Sequence, residues 1–544
     1  MRLLNSKTLK FEEFEQSSPN VPRYAILSHT WGDDEVTFRD IRSKPIQALA
    51  SKKGYTKIAH TCRLAQDNNL DYVWVDTCCI NKSSSAELSE SINSMFRWYE
   101  NAFICYVFLS DYVPGVEFRD CRWWTRGWTL QELLAPKQLV FYDAKWKYVG
   151  SKISLIEEIS RITGIERTVL FDKREMFLCS VSQRMSWAAF RETTRVEDEA
   201  YCLLGIFDIH LSLIYGEGRK AFRRLQEEII KRKADLTIFY WYTPRNDMDA
   251  QYTSLFAESP SAFRLGTALK PSTSEFSEFL LTNKGVLFTD VTDLALVKGP
   301  KGDDVMYGFL VGWDNHGAPS AIMLRKVGPG IFCRDGHRPV HGDGRTLDRV
   351  DLGVLSAKNN FYILPDPGLA IEESMLRARR HALRLPHNEH FQLHSVVPSG
   401  MWDATDRVFL LTPRRSVFEY DLEWQYHVIL AMTFSVVFGS MKVQLVVLYL
   451  NETGLVIFEW QQYPEHAEML FAEKNKEKSI PLSDLQRYMP YITALSSSIE
   501  IELSEDWRAR ITVSRQPGTL QVASEGVKVW DIGFSLSYRR EERN

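Results

Sequence analysis

Apolar and polar positions divide the chain into three patterns. From residue 20 to about 145, short apolar runs alternate with stretches of helical period. Tyr24-Ala25-Ile26-Leu27-Ser28 predicts a strand, closed by the turn-forming Gly32-Asp33-Asp34. Ile58, Cys62 and Ala65 recur at i, i+4 and i+7, one face of a helix. Tyr72-Val73-Trp74-Val75-Asp76 predicts a buried strand, and a polar loop from Asn81 to Ala86 follows it. Leu88, Ile92, Met95, Phe96 and Tyr99 return to helical spacing. Phe103 to Leu109 and Gln138 to Tyr142 predict two further strands, with a short helix from Trp128 to Leu134 stopped before Pro136. Continuous apolar strands alternating with helices predict a parallel sheet covered on both faces.

Residues 146 to about 240 are predominantly helical in pattern, with helices expected over Ser182–Arg191, Asp198–Phe207 and Arg219–Lys233. From about 241 the pattern turns to β. The runs at 285–291, 304–313, 359–365, 406–412, 442–450, 454–460 and 533–538 are separated by Gly, Pro, Asn and Asp clusters. Strands this numerous predict a sandwich or a partly closed barrel. The expected domains are therefore 21–145, 146–240 and 241–544. Arg377, Arg379, Arg380 and Arg384 read as the solvated face of a helix, and the tail Arg539 to Asn544 reads as disordered.

Composition removes several function classes. The 544 residues carry 66 basic and 70 acidic side chains, a formal net charge of −4, which supplies no broad positive field for nucleic acid or an anionic membrane. The first sixteen residues have no apolar core of a secretion signal. The longest charge-free apolar stretch, Val428 to Met441, is shorter than the ~20 residues a bilayer span needs, and its break at Gly439-Ser440 predicts a hairpin. These features predict a cytoplasmic protein with no membrane span and with reduced cysteines, seven of the eight lying before residue 203. No CxxC pair or His spacing suggests a metal, so none is expected. No G-x-x-x-x-G-K-[ST] motif and no repeat of fixed period occurs.

Three blocks carry a resemblance. Tyr24-Ala-Ile-Leu-Ser-His-Thr-Trp-Gly32, Tyr72-Val-Trp-Val-Asp-Thr-Cys-Cys-Ile-Asn81 and Arg126-Gly-Trp-Thr-Leu-Gln-Glu-Leu-Leu-Ala-Pro136 resemble the signature blocks of the fungal heterokaryon incompatibility (HET) domain. The helix from Ala86 to Ala102 resembles the family's middle helix. Arg195 to Phe207 and Tyr215-Gly-Glu-Gly218 resemble the segment that follows the domain. A remoter similarity links the same region to plant-type Toll/interleukin-receptor (TIR) domains, through the strand ending in Leu27-Ser28 and its Gly/acidic loop. Trp128-Thr129-Leu130-Gln131-Glu132-Leu133 has the spacing of their Trp-Cys-Leu-x-Glu-Leu block, with Thr in place of Cys. The implied fold is a TIR- or flavodoxin-like α/β core with a helical extension and a β-rich C-terminal part.

In enzymatic members of that second family the block's glutamate cleaves NAD, a role that falls here on Glu132. Breaking the nicotinamide–ribose bond passes through an oxocarbenium-like centre. Nicotinamide leaves as a neutral group, so one carboxylate that holds the ribose and offsets positive charge could serve. Ser28, His29, Trp31 and Gly32 leave the C-terminal end of the first strand, where open parallel sheets bind ligands. Trp128, one helical turn before Glu132, walls that pocket or packs the core. Asp76 either meets a substrate hydroxyl or accepts bonds from the loop it begins. Glu132 could equally be a solvated helix residue or a capping partner near Arg126. Ser28-His29 is not a hydrolase dyad, because strand neighbours point to opposite faces and no G-x-S-x-G elbow exists. Gly216-Glu217-Gly218 reads as turn glycines at a helix start.

The resemblance implies a cell-death effector in self/non-self recognition. NAD(P) is the implied substrate, with no permanently bound cofactor. Self-association and an incompatibility or NLR-type protein partner are implied as well. The competing reading is a non-catalytic module that triggers death by association alone.

Overall fold

The computed structural model describes residues 1–15, 21–44 and 46–242, and between 252 and 540 a series of segments. Its first sheet has seven strands: β1 (Arg2–Asn5), β2 (Phe11–Glu13), β3 (Tyr24–His29), β4 (Tyr72–Trp74), β5 (Ile104–Phe108), β6 (Leu139–Tyr142) and β7 (Tyr148–Ser151). Their order is β2-β1-β4-β3-β5-β6-β7. The inner four are parallel; β1, β2 and β7 run antiparallel at the edges. All six residues of β3 and all five of β5 are buried, which is why both read as unbroken apolar runs. The N-terminal hairpin of β1 and β2 carried no sequence prediction. Two of its residues, Leu3 and Leu4, are fully buried because the strand completes the sheet edge beside β4.

The connections are helical: α1 (Phe38–Ser43), α2 (Ile46–Leu49), α3 (Tyr55–Asp67), α4 (Asp76–Cys79), α5 (Ser85–Asn101) and α6 (Thr129–Leu134). Ile58, Cys62 and Ala65 form the buried face of α3 as expected. In α5, Ser84 caps the amide of Glu87, and Ile92, Met95, Phe96 and Tyr99 are buried. Asp76 opens a helix instead of closing a strand, since β4 stops at Trp74.

The helical region supplies α7 (Ile156–Thr163), α8 (Arg167–Phe171), α9 (Val181–Ser186), α10 (Asp198–Tyr201), α11 (Leu204–Phe207) and α12 (Lys220–Ile230). The single helices expected over 182–191 and 198–207 are shorter: α9 ends at Ser186, and the second splits at Cys202-Leu203. Helix α11 lies directly on α5. A Cβ on Gly205 would stand 2.1 Å from Phe96 Cβ, so only glycine permits this approach. Gly205→Ala is therefore expected to lower stability by about 2–3 kcal/mol, read from the urea midpoint. A change under about half a kcal/mol would show that the two helices can separate freely.

Gly216 and Gly218 both have positive φ, +103° and +62°, and their amides donate to Glu197 at 2.7 and 3.1 Å. This turn is thus closed by a carboxylate of the same chain.

Beyond residue 242 the described strands form sheets of nine, six and five. The expected hairpin is present, with His427–Phe438 antiparallel to Met441–Leu450. The six- and five-stranded sheets face one another over a shared core that includes Leu383, Phe409, Phe434, Val447, Ile511 and Ile532. Phe391 and Phe534 stack across it at 4.4 Å. A larger core runs without a break from Leu3 of the first sheet to Ile363 of the nine-stranded sheet.

Two surface expectations are corrected. Arg384 lies in the strand His381–Arg384, not on a helix, and holds Asp531 through two bonds of 2.7 Å. Arg377, Arg379 and Arg380 lie outside the described residues. Arg539 and Arg540 end the long strand Glu525–Arg540, where pairing with Arg508 and Trp507 orders them; residues 541–544 lie outside the description.

Candidate functional site

The parallel strands occur in the spatial order β4-β3-β5-β6, so the order in which the chain adds strands to the sheet reverses between β3 and β5. Crevices at such reversals, beyond the carboxyl ends of the strands, are where α/β sheets bind ligands. Ser28 and His29 end β3 at this edge, and the side chains around them form two clusters on opposite faces of the strand.

The first cluster surrounds Glu132. Ser28 Oγ donates to Glu132 Oε2 at 2.5 Å, and the Trp123 indole donates to Ser28 Oγ at 2.8 Å. The Tyr99 hydroxyl, close to Glu132, donates its proton to the Leu27 carbonyl at 3.0 Å. Glu132 is 6% exposed and Ser28 is completely buried. Neither a solvated position nor a cap near Arg126 describes this glutamate. The Arg126 carbonyl instead accepts from Thr129 Oγ1 and Arg191 Nη1 at 2.8 Å each. At the other end of α6, the buried Lys152 ammonium donates to the carbonyls of Leu133 and Pro136. A helix of six residues is thereby pinned at both ends.

Burial pushes the Glu132 carboxyl up to about 8, and the nearby Asp76 charge adds to it. The hydrogen bond from Ser28 and the charge of Arg191 oppose that rise.

The second cluster surrounds His29 and Asp76. Lys57 Nζ lies 3.1 Å from His29 Nδ1, and an ammonium only donates, so Nδ1 accepts. The proton then sits on Nε2, which faces Asp76 Oδ1 at 3.1 Å. Trp31 Nε1 donates to the other Asp76 oxygen at 2.7 Å. Lys57 also holds the Thr30 carbonyl and pairs with Glu35, which in turn accepts the Gly32 amide at 2.8 Å. Burial alone would raise the Asp76 carboxyl; the bonds from His29 and Trp31 and the charge of Lys82 hold it below the ordinary range. Asp76 thus accepts from β3 and its following turn, not from the loop it begins.

The two carboxyls are pushed apart, Glu132 toward the neutral acid and Asp76 toward the carboxylate. Such a division suits acid–base or charge-stabilising chemistry.

The sequence points to Ser28, His29, Trp31, Gly32, Asp76, Trp128 and Glu132. The structure brings Ser28 to Glu132, and His29 and Trp31 to Asp76; Gly32 joins through Glu35. Trp128 does not join them: it hydrogen-bonds Asp198 and packs half-buried against the core. Trp123, Tyr99, Lys57, Glu35 and Arg191 were missed. Of these, only the adjacent pair Trp123-Trp124 stands out in sequence, and its ring geometry depends on Phe141 from another strand.

The chain carries a heterokaryon incompatibility (HET) domain: residues 24–117 match the family described as heterokaryon incompatibility protein (HET). The match takes in Ser28, His29, Trp31, Gly32 and Asp76 and stops before Glu132. Residues 220–297 match a domain of unknown function, DUF8212. Vegetative incompatibility protein HET-E-1 of Podospora anserina is 45% identical over 244 residues, an alignment covering 42% of this chain and 18% of that relative. The chain thus corresponds to a small part of that relative's length. No solved structure matches the chain. Among the described residues no helix is long and apolar enough to cross a membrane.

Proposed function

We propose that the chain is an effector of fungal vegetative incompatibility, in which the α/β region triggers cell death by hydrolysing NAD(P). In this reading, residues 21–145 are the TIR-like catalytic core, 146–240 its helical extension, and 241–544 a β-rich region that controls it. The observation that carries the reading is the Ser28–Glu132 contact at the strand-order reversal. The C1′–N bond of the nicotinamide riboside breaks, and its electron pair returns to the ring nitrogen. Water then attacks C1′ and yields an ADP-ribose product and a proton. Ionised Glu132 holds the ribose hydroxyls and offsets the positive charge on the ring; the cationic nicotinamide of the bound substrate favours that ionisation. Ser28 positions the carboxylate.

Self-association, an NLR-type partner and a cytoplasmic location belong to the same proposal. The test is incubation of the purified chain with NAD and measurement of nicotinamide release, at concentrations that favour association. Release at rates above the spontaneous background is expected. Its absence at every concentration would sink the enzyme reading.

The burial of Glu132 favours a second reading: a non-catalytic module whose α6 contacts serve packing. In that case Glu132→Ala lowers stability, and no nicotinamide is released by either protein.

A further inference from the structure

Asp76 is the first residue of α4, but the N–H groups that hold its carboxylate belong to β3 and the turn after it. His29 Nε2 takes one oxygen at 3.1 Å and Trp31 Nε1 the other at 2.7 Å. Each oxygen keeps a lone pair beyond those bonds. The two donors are themselves fixed. The His29 side chain, 1% exposed, is held from behind by Lys57, and the Lys82 ammonium lies 3.3 Å from the centre of the Trp31 ring. The Asp76 side chain at the end of this chain of contacts is 23% exposed, so water reaches it. Anchoring a short helix explains neither the two aimed oxygens nor their access to solvent.

Ser28 and His29 are neighbours on β3 and face opposite sides of the sheet. Glu132, bonded to Ser28, and Asp76, bonded to His29, therefore flank one strand end from its two sides. They are close enough that the Asp76 charge raises the Glu132 pKa. In glycoside cleavage with inversion, a second carboxylate across the sugar from the first takes the proton of the attacking water.

We infer that Asp76 is the base for the water that attacks C1′, a role that rests on the NAD(P) reading of the Glu132 site. The water oxygen forms the C1′–O bond with one of its own lone pairs, after the C1′–N pair has returned to nicotinamide. One water proton passes to the open lone pair of an Asp76 oxygen and from there to solvent. The other stays on the new anomeric hydroxyl of the ADP-ribose product. A carboxylate held below the ordinary range is ionised and able to accept. Its weak basicity is no obstacle, because water bonded to a cationic carbon is far more acidic than a carboxylic acid. His29 and Trp31 are positioning residues that aim the two oxygens.

The test sets water against a nucleophile with no proton to lose. The full chain is given NAD together with 3-acetylpyridine, whose ring nitrogen can replace nicotinamide at C1′. ADP-ribose and the acetylpyridine dinucleotide are then measured in the same reaction. Asp76→Asn should lower the ratio of hydrolysis to exchange about 100-fold, the ordinary worth of a general base. Trp31→Phe, at a half-exposed position, removes one donor to Asp76 and keeps a ring beneath Lys82. It should lower the same ratio about three- to tenfold with an unchanged melting curve. A ratio unchanged in both variants, or equal losses of hydrolysis and exchange, would overturn the inference and leave the role of Glu132 standing. A parent protein that neither hydrolyses NAD nor exchanges its base would instead overturn the NAD(P) reading, and this role for Asp76 with it.

Discussion

Glu132→Gln is expected to make the protein more stable than its parent at pH 8 while removing its NAD-cleaving activity. The folded carboxyl titrates near 8 and the unfolded one near 4.5. Between those values the native state keeps a proton that the unfolded chain has released. The protonated Glu132 thus contributes its full stability below about pH 4.5, and that contribution drains away as pH rises to about 8. The slope is about 1.4 kcal/mol per pH unit, for a total of at most about 5 kcal/mol. Glutamine keeps the shape and accepts the Ser28 bond but does not titrate, so its urea midpoint should stay flat where the parent's falls. Parallel curves for the two proteins between pH 5 and 9 would show that Glu132 is ionised and solvated in the native state. In the assay, the loss of the carboxylate should lower nicotinamide release about 100- to 1,000-fold, the usual cost of removing one charge-stabilising group. Release unchanged by Glu132→Gln would keep the enzyme and discard this site.

Arg334→Ala should be the most damaging substitution at the junction between the helical region and the nine-stranded sheet. The Arg334 guanidinium donates to the carbonyls of Phe239 and Trp241 and stacks 3.6 Å over the Trp241 ring. It is 2% exposed, and burial lowers its pKa to about 9. Removing the side chain relieves the cost of burying a charge. Against that gain, it strands two buried carbonyls at about 1–3 kcal/mol each and opens a void beneath the indole. The second effect is larger, and a net loss of about 3 kcal/mol in chemical denaturation is expected. A loss below about 1 kcal/mol would show that water replaces the guanidinium.

The local elements were readable because each has its own period. Strands β3 and β5 are apolar throughout since both of their faces are covered, and α3 and α5 show one apolar stripe because one side meets the sheet. The edge hairpin β1–β2 was not readable: Arg2–Asn5 is four residues with no alternation, and it is a strand only because β4 offers a free edge. Arg384 was misread for the same reason in reverse. Interleaved Arg and Leu suit a helix face and a strand equally, and the choice was made by the parallel pairing with the strand Glu525–Arg540.

The site divides along the same line. Chemistry-bearing residues that leave the carboxyl ends of parallel strands, Ser28, His29, Trp31 and Asp76, follow from the strand pattern alone. So does the rule that Ser28 and His29 face opposite ways. The sequence could also place Glu132 on a helix of one and a half turns. It could not say whether that helix faced solvent or the sheet, because every residue of α6 is buried by partners far along the chain. Trp123, Tyr99, Arg191 and Lys152 converge on α6 from separate elements, and their combined burial decides the protonation of Glu132. Periodicity is a property of neighbours in the chain. Desolvation, which turns an ordinary glutamate into a neutral acid near pH 7, is a property of neighbours in space.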